Sequence, residues 1–139
     1  MTTILCDAKK GIMLADSSIS DDDRIWLDRK VYRVKGNLVG FAGDYEEGRI
    51  FLDWLRGKRD KPKCKDLSAL MLTHEGLFIF EGAQMEPRKV ERGIEAIGTG
   101  AKAVICTYEA LGFDDPKKAM KIVCKHDAGS RPPIRTYKL

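Results

Sequence analysis

Apolar residues along this 139-residue chain fall first into short runs and later into helical spacing. Residues 3–6 (Thr-Ile-Leu-Cys) and 12–15 (Ile-Met-Leu-Ala) are apolar runs separated by Lys9-Lys10-Gly11, the pattern of a β-hairpin. Chain starts are usually loose, yet this pattern places the first residues inside a sheet and predicts that Thr2 is held firmly. The acidic triplet Asp21-Asp22-Asp23 marks a turn, after which Ile25, Leu27, Val31 and Val34 predict extended structure. Gly36-Asn37 is a tight-turn signal, and residues 38–43 (Leu-Val-Gly-Phe-Ala-Gly) read as a buried strand.

The period then changes. Between 44 and 57, Ile50, Phe51, Trp54 and Leu55 recur at helical spacing, and Gly57 is a natural stop. Residues 67–82 predict a second hairpin with His74-Glu75-Gly76 at its turn, where His74 reads as a polar turn residue without a metal partner. Residues 85–93 (Met-Glu-Pro-Arg-Lys-Val-Glu-Arg-Gly) read as a polar connection, and 94–100 as one more strand ending in glycines. Val104, Ile105, Tyr108 and Leu111 predict a helix over 101–112. Asp114-Asp115-Pro116 opens another over 114–127, with Ala119, Met120, Val123 and Cys124 on one face. Two prolines precede an alternating edge-strand pattern at the C-terminal end. Strands, helix, strands, two helices and a strand predict an α+β fold with antiparallel sheets rather than the βαβ alternation of a parallel sheet.

Composition narrows the class. The length predicts a single domain over 1–139, and 43% hydrophobic with 33% charged residues is the balance of a soluble globular protein. No apolar run approaches the ~18–20 residues that cross a bilayer, and no basic-then-apolar leader opens the sequence. A cytoplasmic location is the expectation. Cys6, Cys64, Cys106 and Cys124 are scattered without a Cys-x-x-Cys pair or neighbouring histidines, so reduced thiols are expected and neither a metal site nor a disulfide framework. A net charge of +4 is mild. The basic stretch 56–65 carries no interleaved aromatic residue for base stacking, so it reads as a solvated loop and not as a nucleic-acid site.

Candidate chemistry gathers around Thr2. Asp16 ends the second strand, Lys30 lies in the third-strand region, and Ala42-Gly43 ends the buried strand. Taken singly, Asp16 reads equally as a turn cap, Lys30 as a solvated strand residue, Gly43 as the residue before a helix, and Thr99 as a strand-end packing residue. Taken as an ordered set over nearly the whole chain, "TTILC", "GIMLADS", "RKV", "LVGFAG" and "AIGTG" resemble the proteasome β-subunit family of N-terminal nucleophile (Ntn) hydrolases, and within it the HslV-type branch.

The resemblance implies a four-layer αββα sandwich of two antiparallel sheets, and a threonine peptidase subunit of a self-compartmentalised, HslV-like protease. Removal of Met1 would give Thr2 a free amine beside its hydroxyl. An unperturbed α-amine has a pKa of ~7.7–8.0, so Thr2 would serve as nucleophile and general base together. By the same resemblance Lys30 would lower the pKa values of that amine and hydroxyl, Asp16 would keep Lys30 charged, and the Gly43 N–H would receive the oxyanion. Asp127 and Ser130, from "HDAGS", would support the nucleophile, with Thr99 standing where the family has serine. Ile19, Asp28, Tyr32, Phe41 and Tyr45 would line the first specificity pocket, an apolar and aromatic wall with one acid that suits apolar or basic side chains.

Unfolded polypeptides or peptides are the implied substrates, a homo-oligomeric ring the implied assembly, an ATP-dependent unfoldase the implied partner, and no cofactor is implied. The sequence departs from the family in two respects: Met1 precedes Thr2, so the site is expected to be inactive while Met1 is retained, and after the helix at 44–56 only a short basic loop follows, where a second helix is usual. The expected member is therefore shortened, with a reduced helical layer. A non-catalytic structural or assembly subunit of the same fold, and an amidase or acylase of small molecules, are the alternatives.

Overall fold

The computed structural model describes residues 2–20 and 25–139, without the side chains of residues 19, 20 and 25–27. The acidic turn expected at 21–23 lies outside these residues.

The chain opens with strands β1 (Thr3–Asp7) and β2 (Ile12–Ala15), paired antiparallel with Leu5 opposite Leu14. The turn between them is built by Asp7, whose Oδ1 accepts from the backbone N–H groups of Lys9 and Lys10 at 3.0 and 3.2 Å. Every residue of β1 is buried because the strand is central and covered on both faces. Ile4 and Cys6 face one way and Leu5 the other, as a period of two requires.

Short ladders follow. Strand β3 (Ser18–Ser20) pairs with β4 (Ile25–Leu27), so this region holds two strands where the hydrophobic pattern indicates one. Strand β5 (Val31–Val34) then turns into β6 (Asn37–Gly43). The turn is Lys35-Gly36, one residue earlier than the Gly36-Asn37 signal, with φ of +51° and +82°. Both residues are left-handed, as hairpin turns that match strand twist require.

Helix α1 (Tyr45–Leu55) is capped by Asp44, which accepts from the Glu47 N–H at 2.9 Å, and it closes at Gly57. Its buried face is Gly48, Phe51 and Leu52, rotated from the expected stripe that included Ile50. Strands β7 (Leu67–Thr73) and β8 (Gly76–Glu81) form the second hairpin as the pattern predicts, closed by His74-Glu75. Part of the polar connection at 85–93 is instead strand β9 (Glu86–Lys89), exposed throughout and paired with β8. Met85 and Val90 bracket it and are buried, which pins this otherwise polar edge to the sheet. Strand β10 (Ile94–Gly98), helices α2 (Ala101–Ala110) and α3 (Pro116–His126), and strand β11 (Arg135–Lys138) complete the chain.

The larger sheets have the orders β10-β1-β2-β11 and β5-β6-β7-β8-β9, all pairs antiparallel. Ile4, Met13, Leu38, Leu70 and Leu72 fill the space between them. Helices α2 and α3 lay Val104, Tyr108, Met120 and Val123 over Leu5, Leu14 and Ala96 on the outer face of the first sheet. Helix α1 lays Phe51 and Leu52 over Val39, Phe41, Ala69 and Phe80 on the outer face of the second. The result is an αββα sandwich whose second helical layer is one helix deep. The rings of Phe51, Trp54 and Phe80 pack together there, with centroids 5.2 to 6.3 Å apart. Among the described residues no helix is long and apolar enough to cross a membrane.

Candidate active site

The site forms where β1 begins. Thr2 precedes the first strand residue, and its carbonyl accepts from the Thr99 N–H at 2.8 Å. Gly98 makes this approach possible, since a Cβ there would collide with the Thr2 carbonyl. One residue on, the Thr3 N–H donates to Asp16 Oδ1 at 3.0 Å. The peptide unit joining Thr2 to Thr3 is thereby held at both polar ends, by β10 on one side and by the end of β2 on the other.

Asp16 is fully buried. A buried carboxylate must be surrounded by donors, and this one has them. Oδ1 accepts from Thr3 N–H and from Lys30 Nζ, the latter at 2.8 Å, while Oδ2 accepts from the N–H groups of Ser18 and Arg131 at 3.1 and 3.0 Å. Lys30 is 5% exposed, and its Nζ also donates to Thr2 Oγ1 at 3.0 Å. Burial pulls the Lys30 pKa below the ordinary lysine value, and the Asp16 carboxylate beside it works in the opposite direction. The result is a cation at the Thr2 hydroxyl, neutralised from behind.

A second carboxylate completes the other side. Asp127 follows α3, and its Oδ2 accepts from Thr99 Oγ1 at 2.9 Å and from Ser130 Oγ in a short bond. Ser130 is buried and shares a 2.7 Å hydrogen bond with Thr3 Oγ1. Cys124, on α3 behind this group, has its thiol pushed up to about 11, mainly by burial and then by Asp16 and Asp127. It stays protonated near neutral pH and does not compete as a nucleophile.

An open cleft of about 430 Å³ lies in front of Thr2, lined also by Ala42, Gly43, Asp66, Ser68, Gly98 and Thr99. Gly43 has φ +118°, and a Cβ there would collide with the Asp66 carbonyl, so only glycine fits at this wall. The wall is anchored by Glu47 of α1, whose carboxylate accepts from the N–H groups of Lys65 and Asp66, both at 2.8 Å.

The structure thus gathers Thr2, Asp16, Lys30, Gly43, Thr99, Asp127 and Ser130 at one place. Of the five residues expected to line a specificity pocket, the side chains of four are described. Tyr32, Phe41 and Tyr45 form an aromatic column, with Tyr32 and Phe41 stacked at 5.8 Å and Tyr45 tilted against Phe41 at 6.2 Å. Phe41 is 7% exposed and packs in the layer under α1, directly before the Ala42-Gly43 cleft wall. Asp28 is exposed and accepts from its neighbour's N–H, Arg29, at 2.7 Å. The side chain of Ile19 lies outside the described residues.

Sequence reasoning missed Thr3, the Ser18 and Arg131 N–H donors, and Asp66 and Ser68 in the cleft. The signal for Thr3 was present, because a polar residue inside a fully buried strand must have a partner. Among the described residues no cluster of His, Cys, Asp and Glu is arranged to hold a metal ion.

No protein-family model and no curated protein matches this sequence. Among solved structures, the chain is similar to Thiobacillus denitrificans BPH, with a TM-score of 0.77, 14% identity, and 99% of this chain and 97% of that one covered. The same protein in complex with epoxomicin aligns at a TM-score of 0.74 and 14% identity, covering 99% and 98%. Eukaryotic HslV from Trypanosoma brucei aligns at 0.69 and 19% identity, covering 99% and 100%. The chain has the Ntn-hydrolase fold of HslV.

Proposed function

We propose that this protein is a threonine peptidase subunit that works through Thr2 once Met1 has been removed. The observation that carries the reading is the buried Asp16–Lys30 pair aimed at Thr2 Oγ1, with Lys30 Nζ 3.0 Å from the hydroxyl oxygen. While Met1 precedes it, the Thr2 nitrogen is an amide and has no basic lone pair. Freed, it is an amine able to take the hydroxyl proton as Oγ1 attacks a substrate carbonyl, directly or through a water. The Lys30 cation lowers the cost of negative charge on Oγ1 and favours the neutral amine. The Gly43 N–H, across the cleft, is the donor assigned to the oxyanion of the tetrahedral intermediate. The amine then returns its proton to the leaving nitrogen, and water hydrolyses the Thr2 ester.

Unfolded polypeptides are the proposed substrates, and a cytoplasmic homo-oligomeric ring fed by an ATP-dependent unfoldase is the proposed setting. The fold that this chain shares with HslV supports that setting. The test is intact-mass analysis of protein whose first residue is Thr2, before and after incubation with a peptidyl electrophile or epoxomicin. A single adduct mapped to Thr2, absent from protein that retains Met1, is the expected result. Absence of an adduct, together with failure to cleave unfolded casein, would leave a non-catalytic subunit of this fold. Hydrolysis of small acyl amides but not casein would make it an amidase.

A further inference from the structure

Thr3 has no role in the chemistry proposed above, yet it bonds to both Asp16 and Ser130. It is fully buried, polar, and next in sequence to the nucleophile. Its N–H donates to Asp16 Oδ1 at 3.0 Å, its carbonyl accepts from the Asp16 N–H at 3.2 Å, and its hydroxyl shares a 2.7 Å bond with Ser130 Oγ. A Cβ on Gly100 would collide with Thr3 Oγ1, so the helix-opening glycine of α2 is also shaped around this hydroxyl.

The direction of the bonds follows from chemistry. Carboxylate oxygens only accept, so Ser130 and Thr99 both donate to Asp127 Oδ2. With its one proton committed to Asp127, Ser130 can only accept from Thr3. The Thr3 hydroxyl therefore heads a directed chain, Thr3 to Ser130 to Asp127, which Thr99 meets from the other end. Thr99 in turn donates its N–H to the Thr2 carbonyl at 2.8 Å. The circuit closes on the peptide unit that carries the nucleophile. Asp16 pulls on its N–H, Thr99 holds its C=O, and Thr3 links the Asp16 half of the site, through its backbone, to the Asp127 half, through its hydroxyl.

We infer that Thr3 is a positioning residue: its hydroxyl couples the two carboxylate networks and thereby fixes the orientation of Thr2 relative to Lys30. This inference rests on the peptidase reading for its kinetic consequence but not for its structural one. The three residues that follow it in β1, Ile4, Leu5 and Cys6, are apolar and equally buried, so the hydroxyl is a local exception in this strand.

The test compares Thr3→Val, which keeps the shape and removes the hydroxyl, with Thr3→Ser, which restores it. Both are prepared with Thr2 as first residue. Two quantities are read: kcat and KM on a fluorogenic peptide, and hydrogen-exchange protection of the Thr3 and Thr99 amides by NMR. A misplaced reacting group lowers rates by on the order of 100-fold. Thr3→Val is therefore expected to lower kcat on the order of 10- to 100-fold with little change in KM, and to lose protection at those two amides while the strand centre stays protected. Thr3→Ser recovers most of both. Should Thr3→Val not fold, Thr3→Ala removes the same hydroxyl without the second methyl.

If the hydroxyl-free variant keeps kcat within about twofold of the parent, the inference is overturned and the peptidase reading stands. If Thr3→Ser fails to recover, the hydroxyl is not the operative group, which also overturns it. If the parent protein itself neither cleaves nor labels, the peptidase reading fails, and the amide protection decides the inference alone.

Discussion

Replacing Lys30 by methionine separates two consequences of one buried cation. The first is kinetic. A full negative charge on Thr2 Oγ1 at 3.0 Å from Lys30 Nζ gains roughly 5 kcal/mol at an effective dielectric of about 20. The transition state carries only part of that charge, so a loss on the order of 10²- to 10³-fold in kcat is expected, comparable to removing an oxyanion donor. The second consequence is stability. Removing one partner of a buried ion pair costs about 3–5 kcal/mol because the other charge is left behind. Asp16 keeps three backbone N–H donors, from Thr3, Ser18 and Arg131, which places the cost near the lower end. About 3 kcal/mol lowers the melting temperature of a chain this size by roughly 10 °C.

The two effects need a control that destabilises without touching the site, and Tyr108→Phe supplies it. The Tyr108 hydroxyl donates to Asp7 Oδ2 at 2.6 Å, at the far end of β1 from Thr2, and Asp7 is 2% exposed. Its loss leaves a buried acceptor without this donor, at a cost of about 1–3 kcal/mol. Calorimetry and peptide turnover at a temperature well below both transitions compare the pair. Lys30→Met should lose stability and nearly all turnover, and Tyr108→Phe stability alone. Turnover by Lys30→Met within tenfold of the parent, or a melting temperature unchanged by the substitution, would refute the role given to the Asp16–Lys30 pair.

Gly43→Ala should abolish turnover and destabilise by about 1–3 kcal/mol, because its φ of +118° is strained for alanine and the new Cβ meets the Asp66 carbonyl; melting curves and peptide assays check both. The pH profile of kcat/KM for protein beginning at Thr2 should be bell-shaped. It rises as the amine loses its proton and falls as Lys30 loses its own, at a pH below the ordinary lysine value of 10.5 because burial lowers it. Lys30→Arg, whose guanidinium stays charged, should remove the alkaline fall. Native protein treated with iodoacetamide at pH 8 should be alkylated first at exposed Cys106, and slowly at Cys124, whose thiol titrates at about 11; buried Cys6 and Cys64 should react only after unfolding, as read by peptide mass mapping.

What could be read in the sequence was whatever local periodicity encodes. The hairpin of β1 and β2 is legible because Ile4, Leu5, Met13 and Leu14 must all be covered, and the hairpin of β7 and β8 for the same reason. Strand β9 was not legible because Glu86, Pro87, Arg88 and Lys89 are exposed and belong to the sheet through backbone pairing, which leaves no apolar pattern. The α1 stripe was misplaced by a fraction of a turn. Ile50–Phe51–Trp54–Leu55 and Gly48–Phe51–Leu52 are overlapping stripes, and the small Gly48 decides in favour of the second by letting the helix settle on Phe41.

The site divides along the same line. Asp16, Lys30 and Gly43 were readable as members of an ordered family pattern. The backbone donors that help make Asp16 tolerable in the core were not, because Arg131 reaches it across 115 positions and neither its type nor its neighbours announce a backbone N–H. The same segment grips the end of β2 twice more, through Ser17 N–H to the Arg131 carbonyl at 2.9 Å and Ser17 Oγ to the Pro133 carbonyl at 2.6 Å. The contacts that orient Thr2 thus join segments that are distant in the chain: the start of β1, the ends of β2 and β10, Lys30 at the entry to β5, and the stretch that links α3 to β11. The cation, the clamp and the cleft thus depend on contacts between segments that only the assembled sheets bring together. A chain whose strands are not yet paired is expected to lack all three. If the peptidase reading is correct, reactivity at Thr2 during refolding should appear with the last kinetic phase and not with the first formation of strands, as stopped-flow circular dichroism paired with electrophile labelling would measure.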